Sequence, residues 1–110
     1  TYSASATDEN YAMGLLWADY SSNLLDKNSW KKAKKPVFKS SEQNQLFGPG
    51  HNSFTMSRDG KTDLLIYHAR PYDNRGIEGD SLANPDRHAY VQQFAWDQKG
   101  FPIFGKPGDK

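Results

Sequence analysis

The 110 residues carry 14 Lys and Arg against 13 Asp and Glu, a net charge of +1, so no strong field favours a nucleic acid or an anionic membrane surface as partner. Cysteine is absent, which excludes disulfides and thiolate metal sites, and no apolar run approaches the ~18 residues that span a bilayer as a helix. The length allows one domain at most, residues 1–110, with a small core.

In chain order the segments read as β. Tyr2 to Ala4 reads as a strand end, so the chain opens within a strand and looks like a piece of something longer. Tyr11 to Ala18 is apolar over a strand's length; Gly14 and the aromatics favour a buried strand over a helix. Asp26 to Trp30 is turn-like, with Trp30 expected to fold back into the core. Lys31-Lys32-Ala33-Lys34-Lys35 is the one basic cluster and reads as a solvated loop, followed by an extended Pro36-Val37-Phe38. Asn52 to Ser57, the turn Arg58-Asp59-Gly60-Lys61 and Asp63 to Arg70 form a hairpin, because Asp-Gly between two apolar runs is a strong hairpin signal. Pro71 to Asp86 is a long loop of the kind that often carries function. Ala89 to Trp96 follows with Val91, Gln93 and Ala95 on one face, and a turn at Gln98-Lys99-Gly100 leads to Phe101 to Phe104. Roughly seven short strands separated by turns make an all-β protein, open at this point to a small sandwich or to propeller blades.

The most informative segment is Gly48-Pro49-Gly50-His51-Asn52-Ser53-Phe54-Thr55. It reads as a rigid, tight turn that delivers His51 to the start of a strand, since Pro49 fixes one backbone angle and the glycines permit angles that other residues resist. A surface histidine in an ordinary loop is the plainer alternative. Arg87 follows Pro85-Asp86 and begins a strand, so it can offer a planar fork of hydrogen bonds; the alternative is a salt bridge to Asp86 or Asp80. Ser3, Ser5 and Thr7 alternate, so all three share one face of a strand, or simply mark a strand end. His68 reads as a satisfied core histidine, and His88 alternates to the face opposite Arg87. The carboxylates Asp8, Glu9, Asp59 and Asp97 sit in turns or polar loops, and none is assigned a catalytic role.

Tyr2-Ser3-Ala4-Ser5, then GPGHNSFT, then Tyr67-His68-Ala69-Arg70, Pro85-Asp86-Arg87-His88 and Val91 to Trp96 stand in an order that resembles the C-terminal part of the family 43 glycoside hydrolases, over nearly the whole chain. The GPGHNSFT segment is the most specific piece. The resemblance implies the C-terminal blades, about two, of a five-bladed β-propeller of the α-L-arabinofuranosidase or β-xylosidase type. It implies that His51 stands at the propeller axis, near the substrate or a central hydrated Ca²⁺, that Arg87 contacts substrate, and that Ser3 and Ser5 line the sugar pocket. A Ca²⁺ ion prefers about six to eight oxygen ligands, so one imidazole alone is a poor metal site. Glycoside hydrolysis uses two carboxylates across the scissile bond. The family's aspartate base, glutamate acid and tuning aspartate would all precede Thr1, so this chain is expected to be inactive alone.

The implied partner is an arabinose- or xylose-containing oligosaccharide from plant polysaccharide, hydrolysed with inversion. Aromatic richness (three Trp, six Tyr, six Phe) also suits a non-catalytic, all-β carbohydrate-binding module, which would need an exposed aromatic platform. Blades without a closed ring leave apolar faces open, so pairing with another copy or with a missing N-terminal half is expected.

Overall fold

The computed structural model describes residues 1–5 and 8–110. Among them there is no α-helix, and no helix long and apolar enough to cross a membrane. Eight strands form: β1 (Tyr2–Ala4), β2 (Ala12–Gly14), β3 (Leu16–Trp17), β4 (Lys31–Lys32), β5 (Phe47–Met56), β6 (Asp63–Arg70), β7 (His88–Trp96) and β8 (Pro102–Ile103).

The strands fall into two groups. In the first, β1 pairs antiparallel with β2, and β3 with β4. Backbone bonds from Met13 N–H to Phe38 O, Val37 N–H to Met13 O and Ala33 N–H to Leu15 O tie the other edge of 12–17 to 31–38, so these pairs read as one small sheet. The expected single strand from Tyr11 to Ala18 is therefore two, broken at Leu15. Its first half is buried and Leu16 turns outward. Trp30 does not enter the core: it is 43% exposed, and its indole Nε1 donates to Leu24 O at 3.0 Å, which satisfies it at the surface. The basic cluster is exposed as expected, although Lys31 and Lys32 are strand rather than loop.

The second group is a four-stranded antiparallel meander, β5-β6-β7-β8. The Asp-Gly turn joins β5 to β6 as the sequence indicates. Gly60 takes φ 68° and the Asp59 carboxylate accepts from Ser57 Oγ and Lys61 N–H. Alternation gives this sheet two unlike faces. One carries Leu65, Tyr67 and Ala69, all buried, and packs with Met13, Phe38, Leu46 and Phe104 into the core. Phe38 meets Tyr67 edge-on with ring centroids 4.9 Å apart. The other carries Ile66 opposite Val91 and Leu64 opposite Gln93, and Val91 is 61% exposed. The buried face is also tied by polar bonds: Tyr67 Oη donates to Gln92 Oε1 and accepts from Gly108 N–H, while Gln92 Nε2 donates to Phe104 O and Lys106 O. These bonds hold the last residues against β6 and β7.

Candidate functional site

The segment from Gly48 to Thr55 is not a turn before a strand. It lies inside β5, whose pairing with β6 slips twice: Phe47 faces Arg70, Gly50 faces His68 and Ser53 faces Ile66. Three residues of β5 thus span two of β6 on each side of Gly50, which makes two successive bulges. A bulge leaves one residue out of the ladder and re-aims its side chain. Here Gly48 takes φ 60° and His51 φ 48°. A left-handed backbone is unusual for a side chain like His51 and is found where the surroundings over-determine it. They do so here: His51 N–H donates to Ser3 Oγ of β1 at 3.0 Å, and Asn52 Nδ2 donates to Thr1 Oγ1 at 3.0 Å. The segment thus fixes the His51 backbone through bulges rather than through a turn.

Gly50 matters for space. A Cβ there would lie 2.3 Å from Tyr11 Cε1 and 3.0 Å from Ser3 Oγ. Its absence lets the Tyr11 ring close onto β5 and reach His68, at a centroid separation of 5.6 Å and an interplanar angle of 7°. The exposed His51 ring lies against His68 in turn, at 6.1 Å and 27°.

His68 is not the satisfied core histidine the sequence suggests. Its Nδ1 is buried and has no hydrogen-bond partner among the described residues. Burial first, then the Arg87 guanidinium, His51 and Arg70, hold its pKa below the ordinary 6.5. Arg87 and His51 thus both lie within electrostatic reach of one ring. Arg87 makes neither of the ion pairs weighed for it: its guanidinium donates to Leu82 O at 3.3 Å, and Asp86 accepts from Tyr72 Oη instead. It stands just ahead of β7, at the close of the loop over residues 71–87.

The four sequence-predicted residues are not all together. Ser3 supports His51 through the backbone. Ser5 lies past the end of β1 with φ 90° and lines a different depression, with Tyr2, Ala12, Lys32 and Lys34; its left-handed backbone ends the alternation that would have put it beside Ser3. Thr7 lies outside the described residues. His51 is the one metal ligand the sequence suggested. No three His, Cys, Asp or Glu side chains converge among the described residues, so a Ca²⁺ ion beside His51 would take most of its oxygen ligands from water or from outside this chain. Sequence reasoning missed His68 and Arg70 as the neighbours of His51 and Arg87. Period-two spacing in Tyr67-His68-Ala69-Arg70 puts them on one face at one strand end, which was the available signal.

A cavity of about 730 Å³ lies at the far end of β6, where Trp96 Nε1 donates to the Asp63 carboxylate at 2.7 Å. Phe54, Phe94, Phe101 and Trp17 line it, and neither His51 nor Arg87 does.

The folded state of His68 resists protonation, and this has a sign. Between its lowered folded pKa and the ordinary 6.5, only the unfolded chain takes up the proton. The His68 contribution to stability is therefore complete above about 6.5 and is lost as pH falls below it. We expect the urea midpoint to drop from pH 7.5 to pH 5 by more in the wild type than in His68→Phe, which has no proton to take up there. Equal drops would show that His68 carries none of the acid sensitivity.

Packed antiparallel sheets, the larger with a bulged edge strand, define an all-β protein of propeller-blade type. The pattern described as "Glycosyl hydrolases family 43" matches residues 1–102, and the chain belongs to that family, whose fold is the five-bladed β-propeller. It is 52% identical over 107 residues to an extracellular exo-α-(1→5)-L-arabinofuranosidase of Streptomyces avermitilis, covering 97% of this chain and 22% of that protein. It is 51% identical to α-L-arabinofuranosidase B of Pyricularia oryzae, with the same coverage. The crystal structure of an α-L-arabinofuranosidase from Lactobacillus brevis superposes with a TM-score of 0.89 at 55% identity, over 96% of this chain and 32% of that one. The chain thus spans about a fifth of the curated relatives it matches.

Proposed function

We propose that this chain forms the C-terminal blades of a family 43 α-L-arabinofuranosidase and supplies one wall of its sugar site. The observation that carries the reading is the aiming of His51: two bulges, a left-handed backbone and the Ser3 hydroxyl fix it beside His68, within the field of Arg87. In this reading His51 and Arg87 bind hydroxyls of a terminal arabinofuranose, Arg87 through its planar fork, and Ser3 holds His51 in place. The names of the relatives favour arabinose over xylose. The acid and base carboxylates come from the rest of the parent protein, which also covers the open face at Ile66 and Val91. Hydrolysis then proceeds with inversion across a pair of carboxylates wide enough apart to admit water.

The test compares this chain alone with the full-length protein that carries it, on nitrophenyl α-L-arabinofuranoside and β-xyloside. We expect no release by the chain alone, release from the arabinofuranoside by the full-length protein, and a loss of about 10²-fold or more in kcat/KM for Arg87→Ala. Release by the isolated chain, abolished by a substitution within it, would overturn the reading.

A further inference from the structure

The His68 side chain is an odd choice for its position. Its Nδ1 is buried without a hydrogen-bond partner that meets ordinary geometry among the described residues. What the side chain does make are ring contacts: Tyr11 at 5.6 Å and nearly parallel, His51 at 6.1 Å. Tyr11 is itself pressed onto the bare backbone of Gly50, the residue directly opposite His68 in the ladder and next to His51 in sequence. The backbone of His51 is fixed by Ser3, but a fixed backbone leaves an exposed imidazole free to turn about its own side-chain bonds. The flat face of His68 lies beside that ring.

We propose that His68 is a positioning residue, backed by Tyr11, whose ring surface sets the orientation of the His51 imidazole toward the sugar site. The inference rests on the reading of His51 as a sugar-site residue. It makes a demand that simple core packing does not: a flat ring of either chemistry serves, and an aliphatic side chain does not.

The experiment uses the full-length protein with His68→Phe, His68→Leu and Tyr11→Leu. Activity is followed on the arabinofuranoside, and the ring-nitrogen and ring-proton NMR signals of His51 are followed without substrate. We expect His68→Phe to keep most of kcat and a sharply defined His51 ring. We expect His68→Leu to lose about 10²-fold in kcat with little change in thermal midpoint, and its His51 signals to average. Tyr11→Leu gives the same signature more weakly and serves if His68→Leu does not fold. Equal damage from Phe and Leu, or a His51 ring unaltered in His68→Leu and Tyr11→Leu alike, would overturn the proposal. A wild type that does not hydrolyse the arabinofuranoside defeats the proposed function instead, and the His51 signals still decide the positioning.

Discussion

Replacing Gly48 by valine is expected to destabilise the fold by about 2–5 kcal/mol, more than a glycine's usual conformational role would cost. Two terms combine. The backbone at Gly48 is left-handed, φ 60°, which a residue with a Cβ enters at a cost of ~1–2 kcal/mol, and β-branching makes that worse. The added Cβ also lands 2.5 Å from the backbone carbonyl oxygen of Asp8, an atom that cannot swing away as a side-chain tip can. Relieving that overlap costs ~1–3 kcal/mol. It also strains the bonds that hold the segment, from Gly48 N–H to Ser40 Oγ at 2.8 Å and from Ser40 Oγ to Glu9 O at 2.5 Å. Gly60→Val separates the two terms. Gly60 has a similar φ, 68°, yet nothing lies within 4 Å of its missing Cβ. Urea unfolding is expected to rank Gly48→Val well below Gly60→Val. Equal midpoints would mean that the Asp8 carbonyl yields freely and that β5 is not clamped there.

That contrast explains what the sequence discloses and what it hides. Hairpin chemistry is local, so Asp59-Gly60 places the β5–β6 turn correctly: the residues that need the left-handed angle are the ones that signal it. Gly48-Pro49-Gly50 signals backbone control equally well, but the conformation it serves depends on where β6 and Tyr11 lie. Two bulges and one tight turn call for the same residues. The need for backbone control at His51 is therefore legible and the form it takes is not. Leu64 to Tyr67 reads as a central strand, and it is one. Tyr11 to Ala18 does not disclose its break at Leu15, because the break follows from a change of partner along its length, from β1 to β4. Trp30 shows the limit of composition: a large apolar side chain is expected inside, yet it lies half-exposed with its indole N–H satisfied by the Leu24 carbonyl. His68 was misread for a related reason. Burial follows from alternation, but whether a buried nitrogen finds a partner depends on the facing strands.

The loop that delivers Arg87 carries the last expectation. Arg70 closes β6 and is only 4% exposed, an unusual place for a guanidinium. Its Nε donates to Asn84 Oδ1 at 3.1 Å and its Nη2 to Ser81 O at 2.5 Å. Asn84 passes the constraint on, since its Oδ1 also accepts from Asp86 N–H at 3.0 Å and its Nδ2 donates to Tyr72 Oη at 2.9 Å. Tyr72 in turn donates to the Asp86 carboxylate. The two ends of the loop are thereby knotted around one buried cation, directly before Arg87. Arg70→Met keeps the stem and removes the charged donors to the Ser81 carbonyl and to Asn84 Oδ1, which then keeps only its bond from Asp86 N–H among those described. Bonds to a charged group are worth ~1.5–3 kcal/mol each, and methionine recovers part of the loss by packing, so about 2–4 kcal/mol of destabilisation is expected. The loop should open before the rest unfolds, exposing 71–87 to limited proteolysis. In the full-length protein kcat/KM should fall although Arg87 itself is untouched. Arg75→Met is the control. Arg75 pairs with Asp73 in the same loop, but its side chain is 91% exposed, and an ion pair in open solvent contributes little. Its loss should leave the unfolding midpoint and the cleavage pattern as they are. If Arg70→Met and Arg75→Met were cut at the same rate and melted together, the buried guanidinium would not be what holds Arg87 in place.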